Sequence, residues 1–255
     1  MSWYLGPLAG FDLETTGVDS ETDRIVTASI LGIDPPKSRD PEHERHRWLS
    51  IERYGWLSDV GGVEIPAGAS AVHGITTEHA RAKGLPAFKV VKSIAIVLAE
   101  HIQAGTPIVA MNARYDLTML DRELARYGLP PLAEQAGAEP YVIDPLVLDK
   151  AADRYRRGKR TLTALSQVYG VDLTGAHEAA ADALAAAQVA VAIGRRYPAI
   201  GEMTLTDLHN NQQVWAAQQA ASLRSYLLAQ GRNADDVHTD WPLVPRPTAP
   251  EGAAR

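Results

Sequence analysis

Three short segments of this 255-residue chain place acidic residues next to apolar runs, where a packed fold has little use for them. The first is Asp12 and Glu14, in FDLETTG (11–17). On a strand, residues i and i+2 share a face, so the two carboxylates project side by side about 7 Å apart while Phe11 and Leu13 face the opposite way. A turn, Thr15-Thr16-Gly17, follows at once. A site and a solvated edge strand both accommodate this pair. The second segment is Asn112 and Asp116, in NARYD, where a strand closes and a helix opens; Asp116 alone could simply complement the helix dipole. The third is His177 and Asp182, in HEAAADA. Asp182 shares a helical stripe with Ala185, Ala186, Val189 and Ile193, which directs a carboxylate inward and calls for a partner or a cation. His177, five residues earlier, is off that stripe and falls in the loop before the helix.

Four converging carboxylates repel: two charges 4 Å apart cost about 4 kcal/mol at an effective dielectric near 20. Divalent cations relieve that repulsion, and an all-oxygen ligand set suits Mg²⁺ or Mn²⁺ rather than Zn²⁺. Two such ions, roughly 3.5–4 Å apart, are the recurrent device for phosphodiester hydrolysis. An imidazole beside them is a suitable proton acceptor for the attacking water.

The elements that must carry these residues follow from the hydrophobic pattern. Leu8–Leu13, Arg24–Ile33 and Trp48–Ile51 read as three strands with short connections, hence an antiparallel meander. The polar, proline-containing stretch 34–47 reads as a surface loop. Helical spacing marks 88–103, 116–127, 162–169 and 178–197, with short strands at 107–111 and 141–143. The order β-β-β-α-β-α-β-α-α predicts an α/β fold, a mixed sheet flanked by helices. A long polar helix is expected over 204–230, with Leu208, Trp215 and Tyr226 at roughly heptad spacing.

Composition narrows the class. Apolar residues at 45% and charged residues at 22% are ordinary for a globular protein with a real core. No apolar run reaches the ~18 residues of a membrane span, and no signal-like segment opens the sequence, so a cytoplasmic location is expected. Zero cysteines exclude disulfides, thiolate metal sites and a cysteine nucleophile. The net charge of −6 argues against a protein that coats nucleic acid in bulk.

Together the three motifs resemble those of the DEDDh, or DnaQ-like, family of 3′–5′ exonucleases, which includes the proofreading subunit of bacterial replicative polymerases. FDLETTG matches the first motif, NARYD the second and HEAAADA the third; the His five before Asp182, with Glu178 where another subclass has Tyr, indicates the His subclass. The resemblance implies a ribonuclease-H-like fold, a five-stranded mixed sheet with its first three strands antiparallel. It implies metal ligation by Asp12, Glu14, Asp116 and Asp182, two Mg²⁺ or Mn²⁺ ions, and His177 as general base. AVHGIT (71–76) resembles the segment lining the substrate groove, which suggests His73 as a nucleotide contact, and GKRTLTALSQVYGV (158–171) resembles the lead into the third motif. Many members have His where this chain has Met111, and some have an acidic residue at the position of Gly68.

The expected substrate is the 3′ end of single-stranded DNA, with Glu14, Thr15, His73 and Asn112 as contacts, in proofreading or DNA repair, and a DNA polymerase subunit as partner. An RNA 3′-end exonuclease and a non-catalytic nucleic-acid-binding module are the alternatives. The basic run RYRRGKR (154–160) is read either as a solvated loop or as a phosphate contact. The expected organisation is an exonuclease domain over 1–200, a C-terminal helix over 201–231 packed on it or at an interface, and a poorly ordered proline-rich tail over 232–255.

Overall fold

The computed structural model describes residues 2–34, 49–174 and 176–246. Five strands form one mixed sheet in the order β3-β2-β1-β4-β5: β1 (Leu8–Thr15), β2 (Ile25–Asp34), β3 (Leu49–Leu57), β4 (Ile108–Val109) and β5 (Val142–Ile143). β1 pairs antiparallel with β2 and β2 with β3; β4 runs parallel to β1, and β5 parallel to β4. This is the ribonuclease-H-like α/β arrangement that the sequence implies. The turn from β1 to β2 closes through the Thr16 N–H on the Arg24 carbonyl and the Thr16 hydroxyl on Asp23.

Helices cover both faces. Against one lie α3 (Ala87–Gln103) and α4 (Ala113–Arg126), enclosing Phe11, Leu13 and Ile30. Against the other lie α6 (Pro145–Ala152), α7 (Leu162–Tyr169) and α8 (Ala179–Arg196), enclosing Leu8, Leu31 and Ile33. The period-2 alternation of β1 therefore sends Phe11 and Leu13 into one core and leaves Asp12 and Glu14 half-buried on the other face.

The structure differs from the sequence reading in several elements. β3 extends to Leu57, because as an edge strand it pairs with β2 along its length while its outward residues stay polar. The short helices α1 (Ala67–His73), α2 (Thr77–Lys83), α5 (Leu132–Ala136) and α9 (Pro198–Gly201), together with α6, were not anticipated; at four to eight residues each they are too short to show a helical period. The 34–47 loop and Trp48 lie outside the described residues, except Asp34, which ends β2.

Helix α10 (Leu205–Ala229) packs on the domain along Leu208, Gln212, Ala216 and Ala220, an i, i+4 stripe. Its polar side chains finish the open edge of β5. The His209 ring accepts the Val142 N–H at 3.1 Å, Gln212 donates to the Val142 carbonyl at 2.8 Å, and its amide oxygen accepts the Asp144 N–H at 2.8 Å. An edge strand is thus capped by side chains rather than by another strand. Of the expected Leu208, Trp215 and Tyr226 stripe, Leu208 is buried, Trp215 half-buried and Tyr226 exposed.

The expectation of a poorly ordered tail does not hold for residues 232–246. Trp241 is 7% exposed and packs into the α3–α4 core, the Val244 N–H donates to Thr118, and Arg246 pairs with Asp121. Residues 247–255 lie outside the described residues.

Candidate active site

The acidic residues meet where the parallel strands end, the crevice in which open α/β sheets place their ligands. Asp12 and Glu14 come from the last turns of β1, Asp116 from the first turn of α4 and Asp182 from the first turn of α8. Asp116 is buried, and its Oδ1 accepts the Leu13 N–H at 3.1 Å, which ties α4 to the strand that carries the other two acids. Gly10 lets α8 approach: a Cβ there would sit 2.8 Å from the Ala183 carbonyl oxygen, next in sequence to Asp182.

The electrostatics record the convergence. Burial and then the charges of Asp116, Asp182 and Glu14 hold Asp12 well above the usual carboxylate range. Burial and Asp182 push Glu14 up to about 7. Burial raises Asp116, with Asp144 and Glu14 adding to it and the Leu13 N–H opposing. Burial raises Asp182 against the hydrogen bond from the His177 N–H. Buried carboxylates that also raise one another, as at Asp12, Glu14 and Asp116, are relieved by a cation. Asp182 Oδ1 is buried and has no hydrogen-bond partner, so this set fits an oxygen-seeking divalent ion.

His177 stands in the turn before α8, exposed, with φ +70°; its N–H donates to Asp182 Oδ2 at 3.2 Å. One ligand-capable atom from each of Glu14, His177 and Asp182 lies within 4.8 Å of the others. That spacing leaves room for a water between the imidazole and the carboxylates.

His73 ends α1. Its Nδ1 accepts the Ile75 N–H at 3.1 Å, its Nε2 is buried without a partner, and burial pushes the ring's pKa down. His73 and His177 line one groove of about 260 Å³ that passes Thr27, Ala28 and Ser29 on β2. Asn112 goes elsewhere. It takes the left-handed conformation (φ +62°) at the start of α4 and lines a small cavity with Arg114 and Lys150 on the β5 side. The structure thus gathers Asp12, Glu14, Asp116, His177 and Asp182, puts His73 beside His177, and separates Asn112 from that groove.

Sequence reasoning missed two residues. Tyr115, beside Asp116, shares a 2.5 Å hydrogen bond with the Thr15 hydroxyl and donates to the Gly17 carbonyl at 2.6 Å, fixing the turn that follows Glu14. Burial pushes its phenol up to about 12. Asp144, fully buried after β5, accepts the Asn112, Ala113 and Leu146 N–H groups at 3.0, 3.1 and 2.9 Å and the Trp241 indole at 3.5 Å. An acid capping one helix was legible in the sequence as IDPL; its second role at the start of α4 depends on tertiary structure.

The basic run 154–160 divides. Arg156 and Arg160 both pair with the buried Asp149, which also accepts the Tyr169 hydroxyl at 2.8 Å. These two arginines neutralise an internal charge; Arg154, Arg157 and Lys159 are exposed.

Among solved structures the chain is similar to E. coli exonuclease I in complex with a dT13 oligonucleotide, at 21% identity and a TM-score of 0.55 over 77% of this chain and 43% of that one. The zinc-ion-bound E. coli exonuclease I–single-stranded DNA complex aligns at 22% and 0.54 over 79% and 42%. A moderately thermophilic exonuclease I from Methylocaldum szegediense aligns at 22% and 0.57 over 87% and 46%. The chain spans less than half the length of these structures, and the likeness is one of fold. No curated protein matches. The family model described as RNase_T, an exonuclease, matches residues 56–190, more than half of the chain; its match begins after the Asp12–Glu14 segment. The chain therefore belongs to this exonuclease family, within the DEDDh, DnaQ-like group of 3′–5′ exonucleases.

Proposed function

We propose that this chain is a divalent-metal-dependent exonuclease that removes nucleotides from the 3′ end of single-stranded DNA, in proofreading or DNA repair. The observation that carries this reading is the meeting of Asp12, Glu14, Asp116 and Asp182, with their carboxyl pKa values raised, beside His177. The likeness to exonuclease I bound to dT13 supports DNA as the substrate. A polymerase subunit as partner finds no support in these likenesses and is not proposed.

The four carboxylates would hold two Mg²⁺ or Mn²⁺ ions. When bound, these would supply an activated water and neutralise charge at the leaving oxygen. His177, exposed in its turn and within reach of Glu14 and Asp182, takes the proton of the attacking water. Thr15, held by Tyr115, and His73 in the adjoining groove position the terminal nucleotide. Asn112 acts through its backbone, as the start of the helix that presents Asp116, rather than as a contact in that groove.

A time course with Mn²⁺ on matched 5′-labelled DNA and RNA oligonucleotides, with Asp182→Ala as control, tests the reading. Stepwise shortening of DNA from the 3′ end, absent in the control, is expected. Cleavage of RNA alone would move the enzyme to RNA turnover. Cleavage of neither strand would overturn the assignment.

A further inference from the structure

Two cavities adjoin on the β5 side of the acidic centre. The smaller, about 150 Å³, begins at Asn112 and Arg114; the larger, about 820 Å³, runs between α6 and the outer half of α10. They share Lys150, Gln219 and Leu223 as walls, so they lie side by side along one surface channel that these side chains divide. Besides Arg160, which pairs with Asp149, three cations line it: Arg114, Lys150 and Arg154. Among the described residues none of them is in an ion pair. Asp144 and Asp240 are the carboxylates whose charge reaches Arg114, and the oxygens of Asp144 are already taken by backbone N–H groups and the Trp241 indole. The buried Nε of Arg114 has no hydrogen-bond partner. In a chain of net charge −6, three cations outside any ion pair are a local exception, and the cavity reaches toward the acidic centre at Asn112 and Asp144, whose charge is felt by Asp116.

The far wall is the exposed end of α10, where Leu223 and Tyr226 are 48% and 60% exposed. From Gln219 to Tyr226 the helix rises about 10 Å. Asp144 and Asp149 act on Lys150 from a distance and Arg154 lies over the Tyr155 ring, but cations outside any ion pair, interleaved with an exposed aromatic and an aliphatic side chain, match a strand that carries phosphates on one edge and stacking faces on the other. An acidic peptide would satisfy the cations but leave Tyr226 without a stacking partner.

We infer that the channel formed by Arg114, Lys150, Arg154 and the Leu223–Tyr226 face of α10 binds the single-stranded nucleic acid upstream of its 3′ end. Lys150 and Arg154 neutralise phosphates, and Tyr226 stacks on a base. The inference deepens the exonuclease reading and rests on it for the direction of the strand, but strand binding itself is measurable without hydrolysis.

The experiment is fluorescence anisotropy of a labelled 20-nucleotide DNA strand with EDTA, for wild type and the double variant Lys150→Ala, Arg154→Ala. At about 0.7 per phosphate on a single strand, losing two contacts lowers the slope of log Kd against log salt by about 1.4, with binding roughly tenfold weaker at about 100 mM salt. Tyr226→Ala weakens binding to the same strand about fivefold or more and has no effect on an abasic strand of equal length. Hydrolysis of p-nitrophenyl thymidine 5′-phosphate, too small to reach the channel, stays at the wild-type rate in all variants. An unchanged Kd and salt slope in the double variant would overturn the inference, and so would equal loss on abasic and normal strands in Tyr226→Ala. Absence of p-nitrophenol release by the wild type would count against the exonuclease reading alone, leaving the binding result to stand by itself.

Discussion

Replacing Asp144 by alanine removes the acceptor at which two helices, α4 and α6, and the tail are joined. Its carboxylate takes the first two N–H groups of α4, the Leu146 N–H of α6 and the Trp241 indole, while its own N–H is held by Gln212 of α10. Three of the accepted bonds are 2.9–3.1 Å long, the one from Ala113 buried and those from Asn112 and Leu146 partly buried. A buried donor left unpaired costs about 1–3 kcal/mol, and a lost helix cap about 0.5–2 kcal/mol. Three orphaned N–H groups at the low end of that range give about 3–5 kcal/mol. The variant also sheds a buried carboxylate, whose desolvation is visible in its raised pKa, and this offsets part of the loss. A net destabilisation of about 2–4 kcal/mol remains. For a chain of this size each kcal/mol shifts the melting temperature by roughly 2–4 °C, so the expected fall is about 5–15 °C.

The consequence for chemistry follows from distance along the helix. Asp116 is four residues, about 6 Å of helical rise, from the anchored Asn112 N–H. Freeing that end lets α4 shift against β1, and the Mn²⁺ concentration for half-maximal activity rises. Asp144→Asn keeps one acceptor oxygen and the volume, so it should show about half the thermal loss. Thermal unfolding by circular dichroism with a parallel Mn²⁺ titration measures both effects. An alanine variant that melts within 1–2 °C of wild type, with an unchanged Mn²⁺ midpoint, would refute the clamp.

Three further outcomes are expected. Gly10→Ala sets a Cβ against the Ala183 carbonyl, so overpacking of about 1–3 kcal/mol and a weaker Mn²⁺ midpoint should appear together in melting and activity titrations; loss of stability alone would detach Gly10 from the placement of Asp182. Glu14, at about 7, and Asp12, Asp116 and Asp182 have folded pKa values above their ordinary ones, so the folded protein binds more protons than the unfolded chain between about pH 4 and 7. Their contribution to metal-free stability is fully present below that window and lost as pH rises through it, and Mn²⁺ should raise the melting temperature more at pH 8 than at pH 5. Asp12→Asn should flatten both trends, and an equal metal-induced shift at the two pH values would contradict the sign. His177→Ala should lower kcat by about 10²–10⁴-fold with little change in melting temperature, because the side chain is exposed; a rate within threefold of wild type would remove it as the base.

The acidic centre was legible because each of its parts is local. An i, i+2 pair on a strand and an acid in the first turn of a helix are fixed by backbone periodicity, and the order of the three segments implied the fold that brings them together. What escaped was whatever depends on contacts distant in sequence. The Asp-Pro step in IDPL is a helix-start signal left unused because the eight-residue α6 is too short to show a period, and only the return of Trp241, 97 residues later, and of Gln212 shows Asp144 as a junction. The tail reads as disordered from its prolines, yet Trp241 in the core, Arg246 on Asp121 and hydrogen bonds of its backbone with Thr118 and Arg122 hold it on α4. The basic run reads equally as a solvated loop or a phosphate contact, and Asp149, seven and eleven residues away from Arg156 and Arg160, withdraws two of its charges to the interior. The cations left outside ion pairs among the described residues, Arg114, Lys150 and Arg154, come from three separate segments and form no motif. Charge density along a sequence therefore located the basic residues of this chain without showing which of them remain available to a ligand; pairing in the fold decides that, and it leaves the row that faces α10.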